Sequence, residues 1–133
     1  MENFIAFDLV SPETLIFSDE VGLIIVPGED GDIGVLPGHS KVISSLRPGR
    51  VLVYGKDKNL LKSFFVSGGF VEINPNKCIV LGEEVFVISD LNKDNLKKQL
   101  DNIEKDKSEK KLEEHNKINL MIKAIDAEYY LKI

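Results

Sequence analysis

Cysteine is almost missing from this chain. Cys78 is the single one in 133 residues, which excludes an internal disulfide and a multi-cysteine zinc site. It sits in the apolar run Cys78-Ile79-Val80-Leu81, where an inert buried thiol packing as a small hydrophobe is expected. Long hydrophobic runs are missing too: nothing approaches the roughly 20 residues that a membrane span requires. The opening Met1-Glu2-Asn3-Phe4 lacks the basic region of a secretory signal, so a cytosolic protein, or one docked on a membrane complex, is expected. A basic excess is also lacking. The net charge is −5, which gives no global footprint for nucleic acid. There is no GxxxxGK[ST] phosphate loop and no GxSxG elbow.

Glycine and proline are present, but only in one part. All ten glycines lie at or before Gly82 and all five prolines at or before Pro75, and neither occurs from Leu91 to Ile133. Because these residues make turns and break helices, the split marks two regimes. Charge divides in the same place: seven basic against thirteen acidic side chains over residues 1–90, ten against nine over 91–133. The reading is a β-rich domain over 1–89 and a helical tail over 90–133.

In the first part, Phe4–Val10, Val21–Val26, Val51–Tyr54, Lys62–Val66, Phe70–Ile73 and Cys78–Leu81 are rich in β-branched and aromatic residues and read as strands. Pro-Gly recurs at 27–28, 37–38 and 48–49, each expected to form a type II turn. With no helical segment between them, the strands are expected to build an antiparallel sandwich or barrel. In the second part, Asp90 or Asn92 can cap a helix. Leu96, Leu100 and Ile103 form an amphipathic stripe, and Ile118, Ile122, Ile125 and Tyr129 form another. The charged interval Lys105–Lys111 separates them. Two helices joined near Asp106–Ser108 would shield each other's stripes. Nothing in the interval forbids one continuous helix, since the stripes are in register and Asp101–Lys105, Asp106–Lys110 and Glu113–Lys117 are supporting i,i+4 pairs.

Candidates for chemistry are few. His39 follows Pro37-Gly38 in a turn, and His115 lies among Glu113, Glu114 and Lys117; neither has a histidine partner at metal spacing. Gly28-Glu29-Asp30-Gly31-Asp32-Ile33-Gly34 is acidic and glycine-rich but lacks the ligand pattern of a Ca²⁺ loop, and reads as a tight hairpin whose acids could meet a basic partner. No catalytic residues, cofactor or metal are expected. An enzyme using His39 with Asp30 or Asp32 would lack an oxyanion donor and a third catalytic group.

Taken together, Val26-Pro27-Gly28-Glu29-Asp30-Gly31-Asp32-Ile33-Gly34-Val35-Leu36-Pro37-Gly38-His39, Leu9-Val10-Ser11-Pro12-Glu13 with Ile16-Phe17-Ser18, Leu46-Arg47-Pro48-Gly49, and Ser67-Gly68-Gly69-Phe70-Val71-Glu72 resemble the N-terminal domain of epsilon subunits of F-type ATP synthases. The resemblance runs in order over about 85 residues. It implies a flattened antiparallel β-sandwich followed by a two-helix hairpin. It also implies a non-catalytic subunit of the central stalk, peripheral on the cytoplasmic face of the bacterial plasma membrane, coupling proton translocation to ATP synthesis. The implied partners are the gamma subunit, the ring of c subunits, and the alpha and beta subunits through the tail, by which ATP hydrolysis would be restrained. Asp32 matches an acidic position facing the c ring, and His39 the histidine of the turn facing gamma. The family's ATP-binding motif on the second helix, Ile/Leu-Asp-x-x-Arg-Ala, aligns with Leu112-Glu113-Glu114-His115-Asn116-Lys117, where its Arg and Ala are absent. The alternative is a free-standing β-sandwich adapter whose helical tail pairs with an unrelated protein.

Overall fold

Strict alternation builds the first strand. Ile5, Phe7 and Leu9 are fully buried while Ala6, Asp8 and Val10 stay partly open, the period of two that a sheet with one covered face demands. A computed structural model describes residues 3–104 and 109–131, which fall into two compact units, Met1–Phe86 and Val87–Ile133.

Ten strands, the last of them ending at the first residue of the second unit, make up the β part: β1 Ile5–Val10, β2 Leu15–Val21, β3 Leu23–Gly28, β4 Gly31–Val35, β5 Val42–Leu46, β6 Gly49–Tyr54, β7 Leu60–Val66, β8 Gly69–Ile73, β9 Lys77–Gly82 and β10 Val85–Val87. They pair in the order β10-β7-β6-β3-β5-β8-β9-β1-β2, with β4 on β3. The halves of this order meet at a single bridge, Gly28 opposite Leu46. Phe17 on β2 and Phe64 on β7 lie near opposite ends of the strand order, yet their rings are 5.7 Å apart. The sheet therefore folds over on itself, as a β-sandwich does. Between its layers lie Phe7, Val26, Val51, Val53, Val71 and Val80, all fully buried. Each such side chain contributes roughly 1.5–3 kcal/mol of burial free energy.

The pairings among β1 to β9 are antiparallel except β1 with β9, which run parallel from Ala6 opposite Lys77 to Val10 opposite Leu81. Strands β2, β4, β5 and β10 were not legible. β2 opens on Leu15-Ile16-Phe17 but continues through Ser18, Asp19 and Glu20 and is mostly exposed, so it lacks a sustained alternation. Val21 closes β2, opposite Ile5, rather than opening β3.

The three Pro-Gly pairs do different things. Only Pro37-Gly38 forms the expected turn: Gly38 has φ +85°, and the His39 amide donates to the Leu36 carbonyl at 3.1 Å. Pro27-Gly28 ends β3, and Gly49 opens β6. Glycine at 28 and 49 answers close packing instead. A Cβ on Gly28 would stand 2.5 Å from the Gly31 carbonyl oxygen, and one on Gly49 2.8 Å from the Pro27 side chain. The hairpin expected at 28–34 is there, with Gly28 opposite Gly31 and Glu29-Asp30 as its two-residue tip.

The second unit contains a short 3-10 turn, Ile88–Asp90, then α1 Lys93–Glu104 and α2 Glu109–Leu131. Asn92 caps α1: its Oδ1 accepts the Asn95 amide at 3.1 Å. The helices run antiparallel, with Lys93 at the start of α1 paired to Asp126 late in α2 at 2.6 Å. Leu96, Ile118, Met121 and Ala124 are buried, and Ile122 is half-buried. The expected join near Asp106–Ser108 lies outside the described residues, as does Lys105 of the pair Asp101–Lys105.

Candidate protein-docking surfaces

The layer β5-β8-β9-β1-β2 has an inner face in the core and an outer face that is unusually apolar. Register places Ser45, Phe70, Leu81, Val10 and Leu15 in one outward row, each opposite the next. At about 4.8 Å per strand, that row spans roughly 19 Å. Phe70 is 56% exposed, Leu81 44% and Leu15 55%. In the adjacent row Ile43, at 77%, stands opposite Glu72, which faces Ile79. Single exposed apolar side chains are ordinary, but a contiguous set marks a protein contact.

A polar cluster borders this row. Asp8 accepts a hydrogen bond from Ser18 Oγ at 2.7 Å and pairs with Lys77 at 3.1 Å. The Ser18 bond first, and the Lys77 cation second, hold the Asp8 carboxyl below its ordinary value. At one end of the layer a shallow depression of about 450 Å³ is lined by Lys41, Val42, Ile43, Glu72, Ile73 and Asn74. The His39 turn lies beside it, because the Gly38 amide donates to the Pro75 carbonyl at 2.9 Å. His39 Nδ1 is 2.7 Å from the Ser40 carbonyl, so Nδ1 carries the proton in the neutral ring and Nε2 is the acceptor.

Asp32 is elsewhere. It lies at the start of β4, and His39 lies beyond that strand's other end, so the two do not share a site. The Asp32 carboxylate is not a bare acid: Arg47 Nη2 donates to it at 2.5 Å, and Arg47 Nη1 donates to the Gly28 carbonyl. Sequence reasoning missed Arg47 as a partner because 15 residues separate the pair. It missed Ile43 because β5 was not recognised. The signal for Phe70 was available, since Phe70-Val71-Glu72-Ile73 alternates with an aromatic on its otherwise polar side. Among the described residues no cluster of His, Cys, Asp and Glu could hold a metal. No helix of the described residues is long and apolar enough to cross a membrane.

Residues 4–87 match the family model of the ATP synthase delta/epsilon chain β-sandwich domain. The chain is 40% identical over 94 residues to an ATP synthase epsilon chain of Rhodospirillum rubrum, covering 71% of this chain and 69% of that one. It is 38% identical over 111 residues to one of Parvibaculum lavamentivorans, covering 84% and 83%. Among solved structures, a chain in the mitochondrial ATP synthase OSCP/F1/c-ring assembly of Euglena gracilis superposes with a TM-score of 0.76 at 20% identity, covering 98% of this chain and 83% of that one. A chain in the Tetrahymena thermophila central stalk/c-ring assembly gives 0.61 at 15% identity, covering 91% and 96%. At such identities these two likenesses speak for the fold.

Proposed function

We propose a central-stalk role for this chain, which belongs to the ATP synthase delta/epsilon chain family. It is an epsilon-type, non-catalytic subunit of that complex. In our reading the sandwich is clamped to the rotor. The outer face carrying Ile43, Phe70 and Leu81 seats the gamma subunit, with His39 at its margin, and the β3–β4 hairpin with Asp32 faces the polar loops of the c ring. Turning with both, the chain couples proton translocation to ATP synthesis. The helices of 87–133 reach the alpha and beta subunits and restrain hydrolysis. The subunit sits peripherally on the cytoplasmic face of the bacterial plasma membrane.

The observation that carries this reading is the contiguous apolar row on the outer face. An apolar core with a polar rim is the anatomy of a stable protein interface, and Asp8, Ser18 and Lys77 supply such a rim. A rotor subunit must stay attached under load, which surface charge alone does not secure. The test is the double substitution Phe70→Ser/Leu81→Ser. Losing two central apolar anchors is expected to weaken binding to gamma about tenfold or more while the free chain stays folded. Recovery of the double variant in the purified complex at wild-type stoichiometry and strength would remove this face from the interface. A free-standing adapter predicts that wild-type chain does not co-purify with alpha, beta and gamma at all.

A further inference from the structure

The β3–β4 hairpin is tied near its tip to the end of β5 and the β5–β6 connection, where the two halves of the strand order meet. The Glu29 amide donates to the Ser45 carbonyl at 3.0 Å, and the Arg47 amide donates to the Pro27 carbonyl at 3.0 Å. Between these bonds lies the one bridge of β3 with β5, Gly28 opposite Leu46. Above them the Arg47 guanidinium forks: one nitrogen donates to Gly28 on β3, the other to Asp32 on β4. One side chain thus spans both strands of the hairpin and fixes them to a third segment. The planar guanidinium holds two acceptors in a set geometry that a lysine cannot reproduce. Beyond this clasp project Glu29 and Asp30, both exposed, at the tip.

We propose that Arg47 is the positioning residue of this hairpin: by engaging the Asp32 carboxylate and the Gly28 carbonyl it sets the angle at which Glu29 and Asp30 are offered to basic side chains of a partner's loops. Asp32 then acts through Arg47 and not by touching the partner. This rests on the reading above that the hairpin meets the c ring. It makes a prediction opposite in sign to simple charge attraction. Removing the Arg47 cation leaves the hairpin more acidic, so attraction to a basic loop alone would tighten binding. Loss of the clasp frees the tip end of the hairpin and weakens binding instead.

The experiment measures binding of the labelled full chain to ATP synthase depleted of this subunit, for four variants whose melting is checked first. Arg47→Gln is expected to bind about tenfold more weakly than wild type, with faster hydrogen exchange at the Glu29 amide. Arg47→Lys, which keeps the charge without the fork, falls between, and stands in if Arg47→Gln does not fold. Asp32→Asn keeps an oxygen acceptor for Arg47 and loses less than Arg47→Gln. Glu29→Lys/Asp30→Lys loses binding by charge repulsion. Wild-type or tighter binding of Arg47→Gln, alongside weakened Glu29→Lys/Asp30→Lys, overturns the clasp and leaves the ring-facing reading standing. A larger loss for Asp32→Asn than for Arg47→Gln makes Asp32 the direct contact and also overturns it. Unchanged binding of Glu29→Lys/Asp30→Lys removes the ring-facing reading itself, and the clasp's role with it.

Discussion

Burial governs the one thiol of this protein. Cys78 faces the core from β9, opposite Ile73 and beside Phe7, with no exposed surface. Burial disfavours the thiolate and pushes the thiol up to about 12 from an ordinary 9.0. The sign follows directly. A group whose neutral form is favoured by folding contributes its full stability below the unfolded value, and loses it as the pH rises from 9.0 toward 12. Three pH units also mean a roughly thousandfold smaller thiolate fraction near pH 8. Iodoacetamide at that pH is expected to label Cys78 in urea-unfolded chain far faster than in native chain. Equal rates in the two states would show an open thiol. Asp8 presents the reverse case: its carboxyl is held low by Ser18 and Lys77, so its contribution is present at neutral pH and fades as acid carries the pH below the ordinary 3.8.

Elements differ in how much they can hold by themselves. Strands β6 and β9 are central in their layers, each paired on both sides, and both are built around fully buried valines, Val51 and Val53 in β6 and Val80 in β9. The helices have less to draw on. Among the side chains described, Leu96 is buried in α1, and Ile118, Met121 and Ala124 in α2. The Lys93–Asp126 pair is half-exposed, and such surface pairs contribute at most about 1 kcal/mol. At 12 residues α1 is of a length that is marginal in isolation, and helices in general draw most of their stability from tertiary packing. Amides of α1 and α2 are therefore expected to exchange well before those of Val51–Tyr54 and Cys78–Leu81 in the isolated protein, measured by hydrogen-exchange mass spectrometry. Matching protection in helices and strands would mean one cooperative unit, and would leave no independently responsive tail for a regulatory role.

On the scale of the whole molecule, the chain is built to attach. Its sandwich has one outer face that exposes a row of apolar side chains and one hairpin that projects acids, and the two candidate contacts, Asp32 and His39, belong to different ends of β4. Neither assembles with a second group into a nucleophile, base and oxyanion arrangement. Purified alone, the chain is expected to show no ATPase activity. Hydrolysis that co-purifies with the protein and disappears on substitution of one of its own residues would refute this.

What the sequence determined by itself was the class of the two parts. Glycine and proline are local chain chemistry, and their disappearance after Gly82 removes the strongest turn-making and helix-breaking signals from the C-terminal segment. Local chemistry also settled the Pro37-Gly38 turn, because a type II turn needs only its own four residues. Tertiary structure decided the rest. Pro27-Gly28 carries the same turn signal, but the close approach of Gly31 and the pairing with β4 and β5 keep it in a strand. The parallel partnership of β1 with β9 joins segments some seventy residues apart, beyond what any turn motif encodes. Whether an apolar residue such as Phe70 points into the core or outward depends on register, which a shift of one residue reverses. The fate of Asp32 depends on Arg47, which reaches it only once β3 and β5 have met at Gly28 and Leu46.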